Sequence, residues 1–367
     1  MEVLALIEGV ERPCYRYRLE AFTWSMAERG LYLKATALQT AILPRSAQFI
    51  SLRHAEMVIL QRKLLPRWQL ALLRRAAKRL VYDVDDALFQ RDSYHAKGAE
   101  SRQRQRRFAA TVRAADLVIA GNEYLKEQAA QYVEPERVCV IPTCVEPAWY
   151  VPATHSRRGA AVRLVWIGQR STLPSLRAAE GHLAAAAERF PGLQLRVISD
   201  AAPALRGLRV AARRWSSVNE AAELVQGDIG VNWLPDDSWS RGKCGLRVLQ
   251  YMAAGLPVIA NPVGMNRAMV VHGETGLLAS TPREWAEAIS RLASDPPLRR
   301  RMGEAGRQRV ARHYSVTAWG PRLAAAIDAV ARDLQHCRSG VSGPSLGGKQ
   351  HWPGTQRGAI DSHGQDG

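Results

Sequence analysis

Lys243, Arg247 and Gln250 are the residues whose types and spacing point most directly to chemistry. Separated by four and then three positions, they share one face of a helix. That face is cationic and hydrogen-bonding. A helix start adds free N–H groups and a partial positive charge, a setting that suits an anion such as a diphosphate. Leu246, Leu249, Met252 and Ala253 fall at helical spacing toward a core. Gly255 followed by Pro257 stops the helix, because Gly takes the left-handed cap and Pro cannot continue the ladder. Pro257–Ala260 is then a short apolar run of the kind buried in parallel sheets. The stretch Arg241–Ala279 thus reads as loop, short helix, stop, buried strand and Gly-punctuated loop, with the outline of a nucleotide-sugar site.

The elements that must position this face follow a rhythm. Val3–Ile7, Met57–Leu60, Leu80–Asp83, Leu117–Ala120 and Val138–Ile141 read as strands. Helical stretches stand between them, at Tyr17–Arg29 (stopped by Gly30), Leu70–Arg79 and Arg106–Ala114. The segment PTCVEPAWYVPATHSRRG is Pro-rich and irregular, a natural linker. A second series has strands at Leu164–Ile167, Leu195–Ile198, Ile229–Asn232 and Val258–Ala260. Strands alternating with helices imply parallel, doubly wound sheets, and two sheets joined near residue 150 imply a cleft. Residues 336–367 are rich in Gly, Ser, Gln and His and read as disordered.

Bulk properties narrow the class. The 367 residues suffice for two substantial cores, and 47% hydrophobic with 23% charged residues is ordinary for a globular protein. The net charge of +17 is not ordinary, and favours phosphorylated or acidic ligands, anionic lipid or nucleic acid. Five cysteines without a CxxC pair argue against a disulfide framework or zinc ribbon. With no apolar run of membrane length, and with MEVLALIEGV lacking a basic n-region and reading as a first strand, the expected location is cytoplasmic, with peripheral contact at the inner membrane face left open.

The segment GLRVLQYMAAGLPVIA, with Gly264 and VHGETGLLA, resembles the donor-binding block of the family 4 (group 1) glycosyltransferases, which have the GT-B fold. VYDVDDALF, ADLVIAGNEYL and RVCVIPTCVE resemble landmarks of that family's first domain, and LVWIGQRST and GDIGVNWLPDD landmarks of its second. The likeness covers roughly residues 1–335 and is weakest between about 30 and 80. In that family two glutamates flank seven residues here, the first taken to hold sugar hydroxyls and the second the ribose. This sequence has Gly242 and Gln250 instead, a pattern similar to a divergent subgroup. Gln still serves a ribose hydroxyl, whereas Gly cannot replace a carboxylate.

Other candidates carry alternatives. Asp83, Asp85 and Asp86 form a DxDD string open to a metal reading, set against a structural or acceptor-side role. The resemblance favours the latter, since the GT-B fold generally does without such a metal; the metal expectation is none. Arg16 and Arg18 follow the first strand's loop and are candidates for the cleft, or a solvated helix start. Gly168 and Thr172 follow a strand end where phosphates sit, and Arg170 between them is a candidate for the diphosphate-binding arginine the resemblance implies. The lysine expected beside it is missing, and Lys243 and Arg247 are placed to compensate. Gly245 and Leu246 open the donor helix. Asp236 and Asp237 read as turn and cap residues, Glu274 and Thr275 as a structural turn, and His54, His95, His272 and His313 show no metal spacing. Basic clusters at Arg67–Arg79 and Arg102–Arg113 are either solvated faces or, for the first with Trp68, an interfacial helix on anionic lipid.

The expectation is an α/β protein of two Rossmann-like domains facing a cleft. Residues 1–150 form an acceptor-side domain, 151–318 a nucleotide-sugar domain, 319–335 a helix packing back on the first, and 336–367 a disordered tail. The resemblance implies a glycosyltransferase that retains configuration and needs no cofactor. It would take a nucleoside-diphosphate sugar as co-substrate, with Lys243, Arg247 and Arg170 as catalytic candidates and a glycan or lipid-linked acceptor. Two rivals are a degenerate transferase acting as a scaffold subunit and a basic polyanion-binding protein. Nucleic acid is disfavoured because no binding motif appears.

Overall fold

The computed structural model describes residues 1–52 and 55–339. Among the described residues, twelve strands form two six-stranded, all-parallel sheets. The first holds β1 (Glu2–Ile7), β2 (Tyr32–Ala37), β3 (Met57–Gln61), β4 (Arg79–Val84), β5 (Leu117–Ala120) and β6 (Val138–Val140), in the order β2-β1-β3-β4-β5-β6. The second holds β7 (Arg163–Ile167), β8 (Gln194–Ile198), β9 (Arg209–Arg213), β10 (Ile229–Asn232), β11 (Val258–Ala260) and β12 (Gly276–Leu278), in the order β12-β11-β10-β7-β8-β9. The doubly wound α/β class is therefore the observed one.

The order reverses between β1 and β3 in the first sheet and between β7 and β10 in the second. In open α/β sheets ligands bind outside the strand ends at such switch points. The loops at these points carry Glu8–Cys14, Arg62, Gly168–Thr172 and Trp233–Asp237, and they face one another across the cleft.

Three strands escaped the apolar pattern. β2 and β9 are largely exposed edge strands without a buried run, and β12 is only three residues long. The expected helix at Tyr17–Arg29 is broken into Pro13–Arg18, a 3-10 turn at Glu20–Phe22 and Thr23–Ala27. The helix expected at Leu70–Arg79 runs Arg67–Ala76, because Arg79 already pairs with Met57 as the first residue of β4.

Both faces of each sheet are covered by apolar packing. The last helix, Val316–Ser339, returns to the first sheet, where Trp319, Leu323, Ala324 and Ile327 join Val3, Ile7 and Phe22. Its backbone runs four residues into the segment expected to be disordered. Residues 340–367 of that segment, and His54, lie outside the described residues. No described helix is long and apolar enough to cross a membrane.

Candidate active site

The helix Leu246–Ala253 is held against β7 and β10 by Tyr251. The Tyr251 hydroxyl donates to the Val231 carbonyl at 3.2 Å and accepts from the Ile167 amide at 3.1 Å. Its ring lies over Gly230, where a Cβ would come within 2.4 Å. Gly245 opens the helix in the left-handed region, φ 69°, and no side chain caps the first turn. The first turn therefore keeps free N–H donors toward the cavity. Leu249, Met252 and Ala253 are buried as expected, while Leu246 lines the cavity.

That cavity, about 640 Å³, opens between the two sheets. Its wall includes Gly168, Thr172, Gly245, Leu246, Arg247 and Gln250 from the second lobe and Arg18, Arg62, Asp85 and Asp86 from the first. Arg247 is the centre of the second-lobe wall. Its Nε donates to the Ile167 carbonyl, its Nη1 to Asn232 Oδ1 at 2.6 Å and its Nη2 to Thr172 Oγ1 at 3.3 Å. The guanidinium stacks over Trp166, 4.4 Å from the ring centroid. Burial pulls its pKa below the usual arginine range, yet arginine stays protonated. Among the described residues all its hydrogen-bond partners are neutral, so its charge is fixed in place but not cancelled. Gly168 makes this possible: a Cβ there would lie 2.8 Å from Arg247 Nη2 and 2.6 Å from Thr172 Oγ1.

The other cations behave differently. Arg170 is 74% exposed in its side chain, pairs with Asp200 at 3.6 Å and is absent from the cavity wall. The 3-10 turn Arg170–Thr172 aims Thr172 inward and Arg170 out. Arg18 is spent on a buried ion pair with Asp83, Nη2 to Oδ1 at 2.6 Å, and on the Ile141 carbonyl at 2.9 Å. Arg16 also misses the wall, donating to the Ser217 carbonyl at 3.3 Å. Lys243 does line the cavity, with Nζ 3.7 Å from Asp86 Oδ1 across the cleft and 5.2 Å from the Trp239 ring centroid.

Each carboxylate of the DxDD string meets a guanidinium. Asp83 takes Arg18, while Arg62 bridges Asp85 at 3.0 Å and Asp86 at 2.6 Å. Burial pushes the Asp85 carboxyl up to about 6 despite Arg62. Burial also acts on Asp86, but Lys243 and Arg62 outweigh it and hold that carboxyl below its usual range. Arg62 adopts a left-handed φ of 61° to make this reach, and no motif announced it.

Sequence reasoning also missed a polar node beyond Gln250. Gln250 Nε2 donates to the Tyr17 hydroxyl at 3.4 Å, and that hydroxyl meets Glu220, which also accepts from Tyr150 and Trp215. Glu220 opens the short helix Glu220–Leu224 and Trp215 sits on the loop before it, neither within a motif, so no local pattern marks them.

Residues 237–309 match the family model described as glycosyl transferases group 1. D-inositol 3-phosphate glycosyltransferase of Corynebacterium urealyticum is 30% identical over 145 residues, 34% of this chain and 33% of that protein. The enzyme of the same name from Actinosynnema mirum is 29% identical over 215 residues, 50% of this chain and 51% of its own. The matches thus span about a third to a half of these relatives. Among solved structures, Anabaena HepE in complex with UDP and glucose aligns with a TM-score of 0.67 at 14% identity, covering 90% of this chain and all of its own. Sucrose-phosphate synthase from Thermosynechococcus elongatus aligns with a TM-score of 0.66 at 18% identity, covering 92% of this chain and all of its own. The matched block holds the helix Leu246–Ala253 and the strands β11 and β12, and the two parallel sheets share the GT-B fold of these solved structures.

Proposed function

We propose that the protein transfers a sugar from a nucleoside-diphosphate sugar to a glycan or lipid-linked acceptor, with retention of configuration and without a metal. The observation that carries this reading is Arg247, an uncancelled cation fixed by three neutral acceptors and an aromatic face beside an uncapped helix start. A leaving diphosphate gains most from charge already in place, since no reorganisation is needed as the bond breaks. Gly168, Thr172, Gly245 and Leu246 shape the phosphate pocket, and Gln250 stands one turn on for the ribose. The first lobe offers the acceptor Asp85 and Asp86. In front-face attack the acceptor hydroxyl gives its proton to the departing phosphate oxygen, so no protein nucleophile is used. The contribution of the chain is positioning and electrostatics.

Two observations favour a second reading, a scaffold that no longer transfers. Gly242 offers no carboxylate, and Lys243 is already engaged by Asp86. Calorimetry against UDP, GDP, ADP and TDP at moderate salt decides between the readings. Selective micromolar binding of one nucleotide, followed by sugar transfer that survives a chelator, supports the enzyme. Equal weak binding of all four that vanishes as salt rises leaves only a basic surface.

A further inference from the structure

The loop that carries Lys243 belongs to the second lobe, yet its backbone is held by the first. Asn122 does the holding. It follows β5, is 4% exposed and is the N-cap of the helix Glu123–Ala130. Its Oδ1 accepts from the Leu125 amide at 2.9 Å. Its Nδ2 donates to the Arg241 carbonyl at 3.3 Å and to the Lys243 carbonyl at 3.2 Å, with Cys244 Sγ at 3.9 Å. Chemistry fixes this orientation, because an amide N–H needs the oxygen end and two carbonyls need the nitrogen end. One buried side chain thus caps a first-lobe helix and clamps a second-lobe loop.

The residues around Asn122 are shaped to the same contact. A Cβ on Gly121 would lie 2.2 Å from Cys244 Sγ, so glycine is what leaves room for this thiol. Burial raises the Cys244 pKa, so the group stays a thiol and donates to the Asp85 carbonyl at 3.1 Å. Cys244 joins the first lobe's apolar cluster with Phe89 and Leu125, and Trp239 packs against it. Lys243 therefore leaves a backbone pinned at its own carbonyl and at the next side chain. From there its ammonium reaches the cavity and lies 3.7 Å from Asp86 Oδ1. Asn122 is not among the described residues that wall the cavity, so it acts through Lys243 and not on a ligand.

We infer that Asn122 is the positioning residue for Lys243. It sets the loop so that the ammonium faces the reacting groups only while the lobes are docked, and docking and completion of the site are one event. This rests on the reading of Lys243 as a contact of the departing diphosphate.

Two variants of the full chain keep the helix cap and remove the clamp. Asn122→Asp keeps Oδ1 for Leu125 but turns a second oxygen on the two carbonyls, and Asn122→Ser is an equally good cap too short to reach them. Alkylation by iodoacetamide is followed at Cys244, with Cys144, buried on the opposite face of the first sheet, as internal reference. Labelling of Cys244 should rise roughly tenfold or more against Cys144, since it requires the loop to open locally. Release of nucleotide in water from the best-cleaved of UDP-glucose, GDP-mannose, ADP-glucose and TDP-glucose is the second readout. It should fall roughly tenfold or more, as misplacement of a catalytic group makes it do, with nucleotide affinity unchanged. Asn122→Asp added to Lys243→Ala should cost nothing further, because the two changes remove one contact. Unchanged Cys244 labelling in both variants overturns the clamp. Raised labelling with donor cleavage intact, or a loss that adds to that of Lys243→Ala, overturns the positioning of Lys243 and leaves the enzyme reading standing. Wild type that cleaves none of the four donors overturns that reading and this inference with it.

Discussion

Ala87 of the first lobe occupies the space that a side chain at Gly242 of the second would need. A Cβ on Gly242 would lie 2.6 Å from the Ala87 Cβ and 2.7 Å from its backbone nitrogen. Around this contact the second-lobe loop is docked into the first lobe. Cys244 is buried there and its thiol donates to the Asp85 carbonyl at 3.1 Å, and Asn122 donates to the Lys243 carbonyl at 3.2 Å. The missing carboxylate at 242 thus accompanies a close approach of the lobes. Gly242→Ala is expected to cost about 1–3 kcal/mol, as overpacking usually does, and to lower the melting temperature by a few degrees in scanning calorimetry. An unchanged melt would mean that the loop is not docked in solution.

Arg247→Lys keeps a positive charge but loses the planar fork that meets Ile167, Asn232 and Thr172 together. Nucleotide affinity is expected to fall tenfold or more, with a smaller salt dependence of what remains. Titration of the variant beside wild type checks this, and equal affinity removes Arg247 from the phosphate site.

Lys243 stands between Asp86 and the cavity, so its charge is shared rather than free. Lys243→Ala is expected to lower turnover ~10²-fold, the scale of other lost transition-state contacts, while nucleotide affinity changes much less. A purely structural lysine would show itself as a lowered melt with turnover per folded molecule intact.

His155 links stability to pH. It is buried with a left-handed φ of 56°, and its Nε2 lies 2.7 Å from the Gly255 carbonyl. That carbonyl can only accept, so the proton is on Nε2, and buried Nδ1 has no partner among the described residues. Burial lowers its pKa below the ordinary 6.5; the Gly255 carbonyl and Asp228 pull the other way, while Arg299 and Arg300 add to the lowering. The unfolded chain therefore takes up the proton first. The contribution of His155 to stability is full above pH 6.5 and is lost as pH falls through the lower, folded value. Urea melts at pH 8 and pH 5.5 should show that loss, and His155→Gln should reduce it. An identical pH dependence in the variant would assign the loss to other groups.

Membrane contact makes a separate prediction. On the adjoining helices Ile42–Ser51 and Arg67–Ala76, Leu43 is 81% and Trp68 52% exposed, with Arg67, Arg74 and Arg75 nearby in sequence. Vesicles containing anionic lipid are expected to retain the protein at low salt and release it at high salt, and Trp68→Ser should weaken retention. Retention equal on neutral vesicles would exclude a charge-led contact.

Much of this molecule is legible in its amino acids. Short apolar runs alternating with helical ones specify two parallel sheets, since a strand buried on both faces has to be apolar throughout. Gly255 and Pro257 end the helix Leu246–Ala253 whatever surrounds it, and the spacing of Arg247 and Gln250 fixes their shared face, whereas Lys243, expected on that face, lies in the loop before the left-handed Gly245 that opens the helix. β2 and β9 stayed hidden because exposed edge strands carry no buried run. The tertiary structure alone decides which charges work. Arg18, Arg170 and Arg247 are the same residue type, yet one meets Asp83 in the core, one meets Asp200 in solvent and one meets only neutral acceptors. Tyr17, Tyr150, Trp215 and Glu220 are scattered along the sequence and become one node only when the lobes close. Periodicity reports which face of an element is buried. It carries no information about what a distant element places opposite that face, and the free energy of a charge depends on that partner.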